Sequence, residues 1–127
     1  EACGKDTKLL AVTILTSLDA DAISEVGYGQ SVADQVERMA LLTKDSGLDG
    51  VVCSAHEIAR LRAVCGGGFS LMVPGIRPAG ADKGDQKRVM TPKEALDAGA
   101  THLVIGRPIT GASDPAAAAA EILESIK

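Results

Sequence analysis

The residues of this sequence that are best suited to chemistry lie directly after short apolar runs. Gly106 and Arg107 follow the last run, Thr16 and Ser17 follow the first, and Arg77 lies just beyond the third. A Gly-Arg pair at such a place suits an oxyanion, because glycine lets its backbone N–H approach closely and arginine donates a charged, forked pair of hydrogen bonds. The alternative for Arg107 is a structural ion pair with a neighbouring carboxylate.

A long polar segment separates the third apolar run from the next helical pattern. Residues 77–88 carry four basic and two acidic side chains, with glycines among them. Long connections in compact domains are typically lids or binding loops. We expect residues 79–87 to be mobile without ligand and to become ordered over a bound anion. A solvated surface loop is the alternative.

Other residue types that catalyse reactions or bind metals give weaker signals. His56 and His102 have no partner at a metal-ligand spacing, so each is predicted to be structural. Cys53 lies in an apolar run, where a cysteine is more often a small core residue than a nucleophile. The three cysteines are an odd number without metal-ligand spacing, which favours a reduced, cytoplasmic setting.

The composition argues against several classes of partner. The chain has 127 residues, enough for one core, with 13 Lys and Arg against 17 Asp and Glu and a formal charge of −4. This charge disfavours nucleic-acid binding, and one Tyr, one Phe and no Trp leave no aromatic platform for stacking bases. No apolar run approaches the roughly 20 residues that span a bilayer. We therefore expect neither a nucleic-acid nor a membrane partner.

Four near-continuous apolar runs predict the strands that position these residues. They cover residues 9–15, 50–53, 69–73 and 102–105. Because apolar and polar residues do not alternate within them, the runs are typical of parallel strands buried on both faces.

Helical patterns lie between and after these runs. The predicted helices begin after Ser31, at residue 55, after Thr91 and after Asp114. Ser, Thr and Asp side chains accept hydrogen bonds from first-turn amides, and Glu94 completes a capping box with Thr91. The first three helices are predicted to end near Gly47, at glycines 66–68 and at Gly99.

The alternation of strand and helix, repeated four times, predicts a parallel sheet with right-handed crossovers. Two architectures remain open, a flavodoxin-like sheet and part of a (β/α)8 barrel. A full barrel takes about 250 residues, so this chain would supply about half of one. We expect one domain over residues 1–127, and the absence of an initiator Met suggests a piece of a longer chain.

Five segments in uninterrupted order resemble the orotidine 5′-phosphate decarboxylase family in its bacterial form. They are LAVTILTS (10–17), GLDGVVCSA (47–55), PGIRP (74–78), GDQKRVMTP (84–92) and VIGRPIT (104–110). The resemblance implies the C-terminal half of a (β/α)8 barrel, strands five to eight with their helices. It also implies a carbon–carbon lyase of pyrimidine nucleotide synthesis that converts orotidine 5′-phosphate to uridine 5′-phosphate and CO2 without cofactor or metal.

The resemblance implies five substrate-binding residues in this chain, namely Thr16, Arg77, Gln86, Gly106 and Arg107. Thr16 would line the pyrimidine end of the pocket, and Arg77 would stand at the base of the mobile loop. Gln86 in that loop would bridge toward phosphate and base. The backbone N–H of Gly106 and the guanidinium of Arg107 would hold the 5′-phosphate.

The resemblance also implies what this half does not carry. The family's Lys-Asp-Lys-Asp array lies on the first three strands, and its motif Asp-x-Lys-x-x-Asp does not occur in this sequence. We therefore expect no catalytic residue here and no activity from this chain alone. The expected partners are the N-terminal half of the barrel and a second subunit, which donates the last Asp in a homodimer.

One residue departs from the bacterial pattern. Val73 stands where bacterial members usually carry Thr, directly before the Pro-Gly pair. We expect Val73 to face the pocket floor and to alter the positioning of the base slightly.

Two alternative functions remain open at this point. A sister enzyme on the same scaffold, a keto-sugar-phosphate decarboxylase or a hexulose-phosphate synthase, would share the phosphate site. A half-barrel that only binds phosphorylated ligands would need no catalytic half. Thr16, Ser17 and Gln86 favour the nucleotide enzyme over the sister enzymes, whereas the half-barrel that only binds phosphorylated ligands stays an open alternative.

Overall fold

The computed structural model describes residues 4, 6–29, 31–78 and 90–127 of the chain. Within these residues, four strands form one parallel sheet in the order β1-β2-β3-β4. They are β1 (Leu10–Val12), β2 (Gly50–Val52), β3 (Ser70–Val73) and β4 (His102–Leu103). Each strand lies inside one of the predicted apolar runs and is shorter than that run.

The order of the strands decides between the two architectures. Every strand pairs with its neighbour in sequence, and the order never reverses within the sheet. A flavodoxin-like sheet places its strands in the order 2-1-3-4-5, with a reversal, whereas the wall of a (β/α)8 barrel runs in sequence order. The chain is therefore half of a barrel, as predicted.

In the part of the chain that the structure describes, six helices accompany the sheet. They are α1 (Ala20–Glu25), α2 (Val32–Asp45), α3 (Ile58–Cys65), α4 (Pro92–Asp97), α5 (Arg107–Thr110) and α6 (Pro115–Ser125). The side chains of Ser31, Thr91 and Asp114 cap α2, α4 and α6 as predicted. The segment from residue 55 begins with a single 3-10 turn, Ala55–Glu57, before α3 starts. The short helices α1 and α5 were not predicted.

The core lies between the sheet and its helices. Val51 and Leu71 in the sheet are fully buried in one cluster with Ile58 and Leu61 of α3. The opposite face of the sheet is open. Val12, at the end of β1, lies on this face and is 54% exposed. The open face is the concave side, which lines the interior of a complete barrel. Among the helices that the structure describes, none is long and apolar enough to cross a membrane.

Candidate functional site

An open cleft of about 370 Å³ lies at the carboxyl ends of the strands. Residues that follow all four strands line it, so the half-barrel brings together segments far apart in sequence. Four of the five predicted substrate-binding residues are among them: Thr16, Arg77, Gly106 and Arg107. The fifth, Gln86, lies outside the described residues, as does the predicted lid over residues 79–87.

Thr16 lies in a tight turn that follows β1. The N–H of Leu18 donates to the carbonyl of Leu15 at 3.0 Å, which places Thr16 and Ser17 at the centre of the turn. Thr16 is buried and Ser17 is half-buried. Beyond the turn, the Asp19 carboxylate accepts a hydrogen bond from the Ala22 N–H at 3.1 Å and caps α1.

The segment before this turn is joined to the neighbouring strand. Thr13 donates twice to the carbonyl of Val52, from its N–H at 3.1 Å and from its hydroxyl at 2.8 Å. Both Thr13 and the next residue, Ile14, are buried. The turn is therefore held on one side by β2 and on the other by the capped start of α1.

Arg77 lies beyond the end of β3 and is only 7% exposed. Its guanidinium donates to the carbonyl of Ile76 at 2.8 Å, and its backbone N–H donates to the carbonyl of Met90 at 3.0 Å. Ile76 and Met90 also form a parallel bridge. Chain positions on either side of the 79–89 segment are thus held next to each other, and Arg77 among them lines the cleft.

Gly106 and Arg107 form the start of the short helix α5. The carbonyl of Gly106 accepts from the N–H groups of Ile109 at 2.8 Å and Thr110 at 3.0 Å. A methyl group added at Gly106 would meet no atom within 4 Å, so the space beside its backbone is open. Barrel enzymes frequently bind phosphate at this place, between the last two strand–helix loops and the start of a short extra helix.

The charged side chains among the described residues of the cleft are all positive. Among the described residues that line it, Arg77 and Arg107 are cationic and none is acidic. The rest of the lining is largely apolar, and it includes Val12, Leu15 and Val104, which are each about half exposed. The arrangement suits a ligand with an anionic end and a less polar body.

The titratable groups with shifted pKa values are structural and lie outside the cleft lining. The amide and hydroxyl of Thr91 donate to the Glu94 carboxylate at 2.9 and 2.6 Å, and these bonds lower the pKa of Glu94. Hydrogen bonds from Ser31 and then Arg60 lower the pKa of Asp34. Burial raises the pKa of the Cys65 thiol.

The histidines and the cysteine that gave weaker signals of catalysis or metal binding lie at different places in the structure. His56 is exposed in the 3-10 turn, and His102 is exposed with its Nδ1 3.0 Å from the Thr101 hydroxyl. Cys53 is 1% exposed in the core and borders the cleft. Within the described ranges, no three His, Cys, Asp or Glu side chains are placed to hold a metal ion.

The expectation for Val73 was wrong. Val73 is fully buried in the core cluster and is not among the residues that line the cleft. Side chains alternate along a strand, and this residue points to the helix-covered side, in register with Leu103 of β4. A valine at this position therefore contributes to core packing.

Comparison with known proteins identifies the family. The model of the orotidine 5′-phosphate decarboxylase / HUMPS family matches residues 1–122. The chain belongs to this family. An orotidine 5′-phosphate decarboxylase from Pectobacterium atrosepticum is 57% identical over 124 residues, which are 97% of this chain and 50% of that protein. One from Pectobacterium carotovorum matches with the same identity and coverage. The chain spans about half the length of the curated relatives it matches.

Solved structures agree with this family assignment. The structure of orotidine 5′-phosphate decarboxylase from Lactobacillus acidophilus superimposes with a TM-score of 0.81 and 41% identity, over 100% of this chain and 52% of that one. An uncharacterized conserved protein from Geobacillus kaustophilus gives a TM-score of 0.75 and 33% identity, over 94% and 49%. The decarboxylase from Pyrococcus horikoshii, at 22% identity and a TM-score of 0.65, shares the fold.

Proposed function

We propose that this chain is the nucleotide-binding half of an orotidine 5′-phosphate decarboxylase. The reaction cleaves the bond between the pyrimidine ring and its carboxylate, releases CO2 and leaves a proton in its place. The observation that carries the proposal is the cationic cleft that gathers Thr16, Arg77, Gly106 and Arg107. Support also comes from the 57% identical Pectobacterium relatives, which are named for this activity.

The phosphate end of the substrate belongs beside α5 in this proposal. The open space beside Gly106 admits an oxygen to its backbone, and Arg107 supplies a charged donor at the same helix start. Arg77 adds a second guanidinium, and Gln86 is proposed to close over the phosphate. Hydrogen bonds to a charged phosphate contribute about 1.5–3 kcal/mol each.

The pyrimidine end of the substrate belongs at the turn after β1. Thr16 and Ser17 provide hydroxyl and amide groups for the polar edge of the base, and the nearby Leu15 provides apolar surface for its ring. A pyrimidine nucleotide would use both the polar groups of the turn and the apolar surface of Leu15, whereas an open-chain sugar phosphate has no ring to pack against that surface.

The bond-breaking groups are proposed to come from the other half of the barrel. Among the described residues that line the cleft there is neither a lysine nor a carboxylate. This half instead contributes binding energy from the non-reacting phosphate, which an enzyme can use to hold the reacting carboxylate beside groups that oppose its charge.

The assembly that we propose has two levels. The N-terminal half of the barrel pairs with the outer edges of β1 and β4 and covers the concave face of the sheet. Two complete barrels then form a homodimer in the cytoplasm. Within the described part of the chain, neither Cys53 nor Cys65 forms a disulfide, which suits a reducing compartment.

The experiment that tests the proposed function uses a complete barrel protein, made by fusing this chain to the N-terminal half of the Pectobacterium atrosepticum relative. We expect this protein to convert orotidine 5′-phosphate, followed by pyrimidine absorbance. The unaltered relative is the control for the assay. A folded complete barrel that acts on a keto-sugar phosphate and not on the nucleotide would contradict the proposal.

A further inference from the structure

The hydroxyl of Thr13 donates to a carbonyl that already has a backbone partner. The carbonyl of Val52 already accepts the Thr13 N–H at 3.1 Å, and the Thr13 hydroxyl donates to the same oxygen at 2.8 Å. Thr13 is 7% exposed, and this second bond is part-buried. The acceptor residue, Val52, itself lines the cleft.

Thr13 stands directly before the turn that carries the predicted base contact. Two residues separate it from Thr16, and one of them, Ile14, is anchored in the core. The Leu18 to Leu15 hydrogen bond closes the turn, and Asp19 fixes its far end by capping α1. The near end is fixed by the two bonds from Thr13 to Val52.

We propose that Thr13 is a positioning residue whose hydroxyl holds the Thr16–Ser17 turn in the conformation that binds the base. The inference rests on the proposed function and adds a residue that does not touch the substrate. Without the hydroxyl, the Val52 carbonyl keeps its backbone partner, so no buried polar group is left unpaired. Loss of the hydroxyl therefore loosens the turn more than it destabilises the barrel.

Thr43 provides a matched control. It is also buried, at 8% exposure, and its hydroxyl also donates to a backbone carbonyl at 2.8 Å, that of Met39. This pair lies within α2 and does not line the cleft. Thr13→Val and Thr43→Val thus remove the same kind of bond at two places, and Thr13→Ser keeps the hydroxyl at the first.

Hydrogen exchange in the ligand-free complete barrel tests the positioning role without any activity. We expect the amides of residues 14–18 to exchange roughly fivefold faster in Thr13→Val, on the scale of one net hydrogen bond. The same amides should exchange at the parent rate in Thr43→Val and close to it in Thr13→Ser. Equal rates in Thr13→Val and Thr43→Val would overturn the inference.

Steady-state kinetics test the consequence for binding. We expect Thr13→Val to raise KM for orotidine 5′-phosphate about fivefold with little change in kcat, because a base contact is made in ground and transition state alike. Thr13→Ser should restore KM, and Thr43→Val should leave it unchanged. A KM in Thr13→Val equal to that of Thr43→Val, or no rescue by serine, would overturn the inference. An inactive unsubstituted barrel would instead reject the proposed function, and the exchange rates would still decide the role of Thr13.

Discussion

Arg107 is the residue on which the proposed phosphate site depends most. It opens α5 beside Gly106, whose backbone faces open space, and it is one of two cations among the described residues of the cleft. A guanidinium at this place can make two parallel hydrogen bonds to phosphate oxygens, which an ammonium cannot reproduce.

Arg107→Ala in the complete barrel should therefore weaken substrate binding strongly. We expect KM for orotidine 5′-phosphate to rise about 100-fold, which corresponds to roughly 3 kcal/mol for a charged hydrogen bond and the phosphate left unpaired. Arg38→Ala, which removes an exposed arginine from α2 outside the cleft, is the control. An unchanged KM in Arg107→Ala would reject the phosphate assignment.

At the scale of the elements, Arg62 of α3 ties two loops together at the amino-terminal side of the sheet. Its guanidinium donates to the carbonyls of Gly66 and Phe69, at 2.8 and 2.7 Å, in the loop before β3. It also donates to the carbonyl of Gly99 at 2.6 Å, in the loop before β4. One side chain thus holds the entry points of two neighbouring strands.

Arg62→Ala should destabilise the complete barrel by about 2 kcal/mol, since several carbonyls lose a charged donor but partly regain water. Arg62→Lys should recover only part of this loss, because one ammonium cannot span both loops. Denaturant unfolding measures the free energy of unfolding of each variant. A lysine variant as stable as the parent would show that the charge alone matters.

The capping box of α4 should make stability depend on acid pH. Hydrogen bonds from Thr91 hold the pKa of Glu94 below its ordinary value of about 4.3. A carboxylate with a lowered pKa in the folded state stabilises the protein above its unfolded pKa, and the contribution is lost as pH falls through the folded pKa.

Glu94→Gln removes this titration. We expect the free energy of unfolding of the complete barrel to fall less steeply below about pH 5 in Glu94→Gln than in the parent. The two proteins should show parallel curves at neutral pH. Identical slopes in the acid range would contradict the contribution of the cap.

Much of the element pattern could be predicted because its signals are local. The caps at Ser31, Thr91 and Asp114 each bond to an amide three residues ahead, so the sequence displays both partners together. The order of the strands could not be predicted from these local signals, because it depends on pairings such as Leu10 with Gly50, and only the family resemblance implied it. The helices α1 and α5, with six and four residues, are too short to show a helical period.

The position of the candidate site could be predicted, because the carboxyl ends of parallel strands lie at the same edge of a sheet. Parallel strands bring Thr16, Arg77 and Gly106 to one edge, so their types alone indicated a site. The orientation of the Val73 side chain could not be predicted from the sequence. In a continuous apolar run, the residue types do not show which face of the sheet each side chain takes. Thr13 was hidden for the same reason, as a single polar residue within the first apolar run.

At the scale of the whole molecule, the described chain leaves large surfaces uncovered. β1 and β4 each pair on one side only within the described sheet. Val12 and Val104 are 54% and 45% exposed on the concave face, and Leu42 of α2 is 68% exposed. Unpaired apolar edges promote association, and closure of a barrel removes them.

This chain should therefore form a one-to-one complex when it is mixed with the separately produced N-terminal half of the Pectobacterium atrosepticum relative. Light scattering after size exclusion measures the mass of the complex. Val12→Asp should weaken the complex by placing a charge on the concave face, whereas Val26→Asp, in an exposed loop, should not. A stable monomer that does not bind the added half would contradict the proposed assembly.

We propose that this chain binds the nucleotide while the bond-breaking groups lie in the other half of the barrel. Turnover of orotidine 5′-phosphate by each purified half alone, and by the two mixed, tests it most directly. We predict turnover by the mixture and none by either half. Turnover by this chain alone, with no N-terminal half detectable by mass spectrometry, would contradict this division of roles between the two halves.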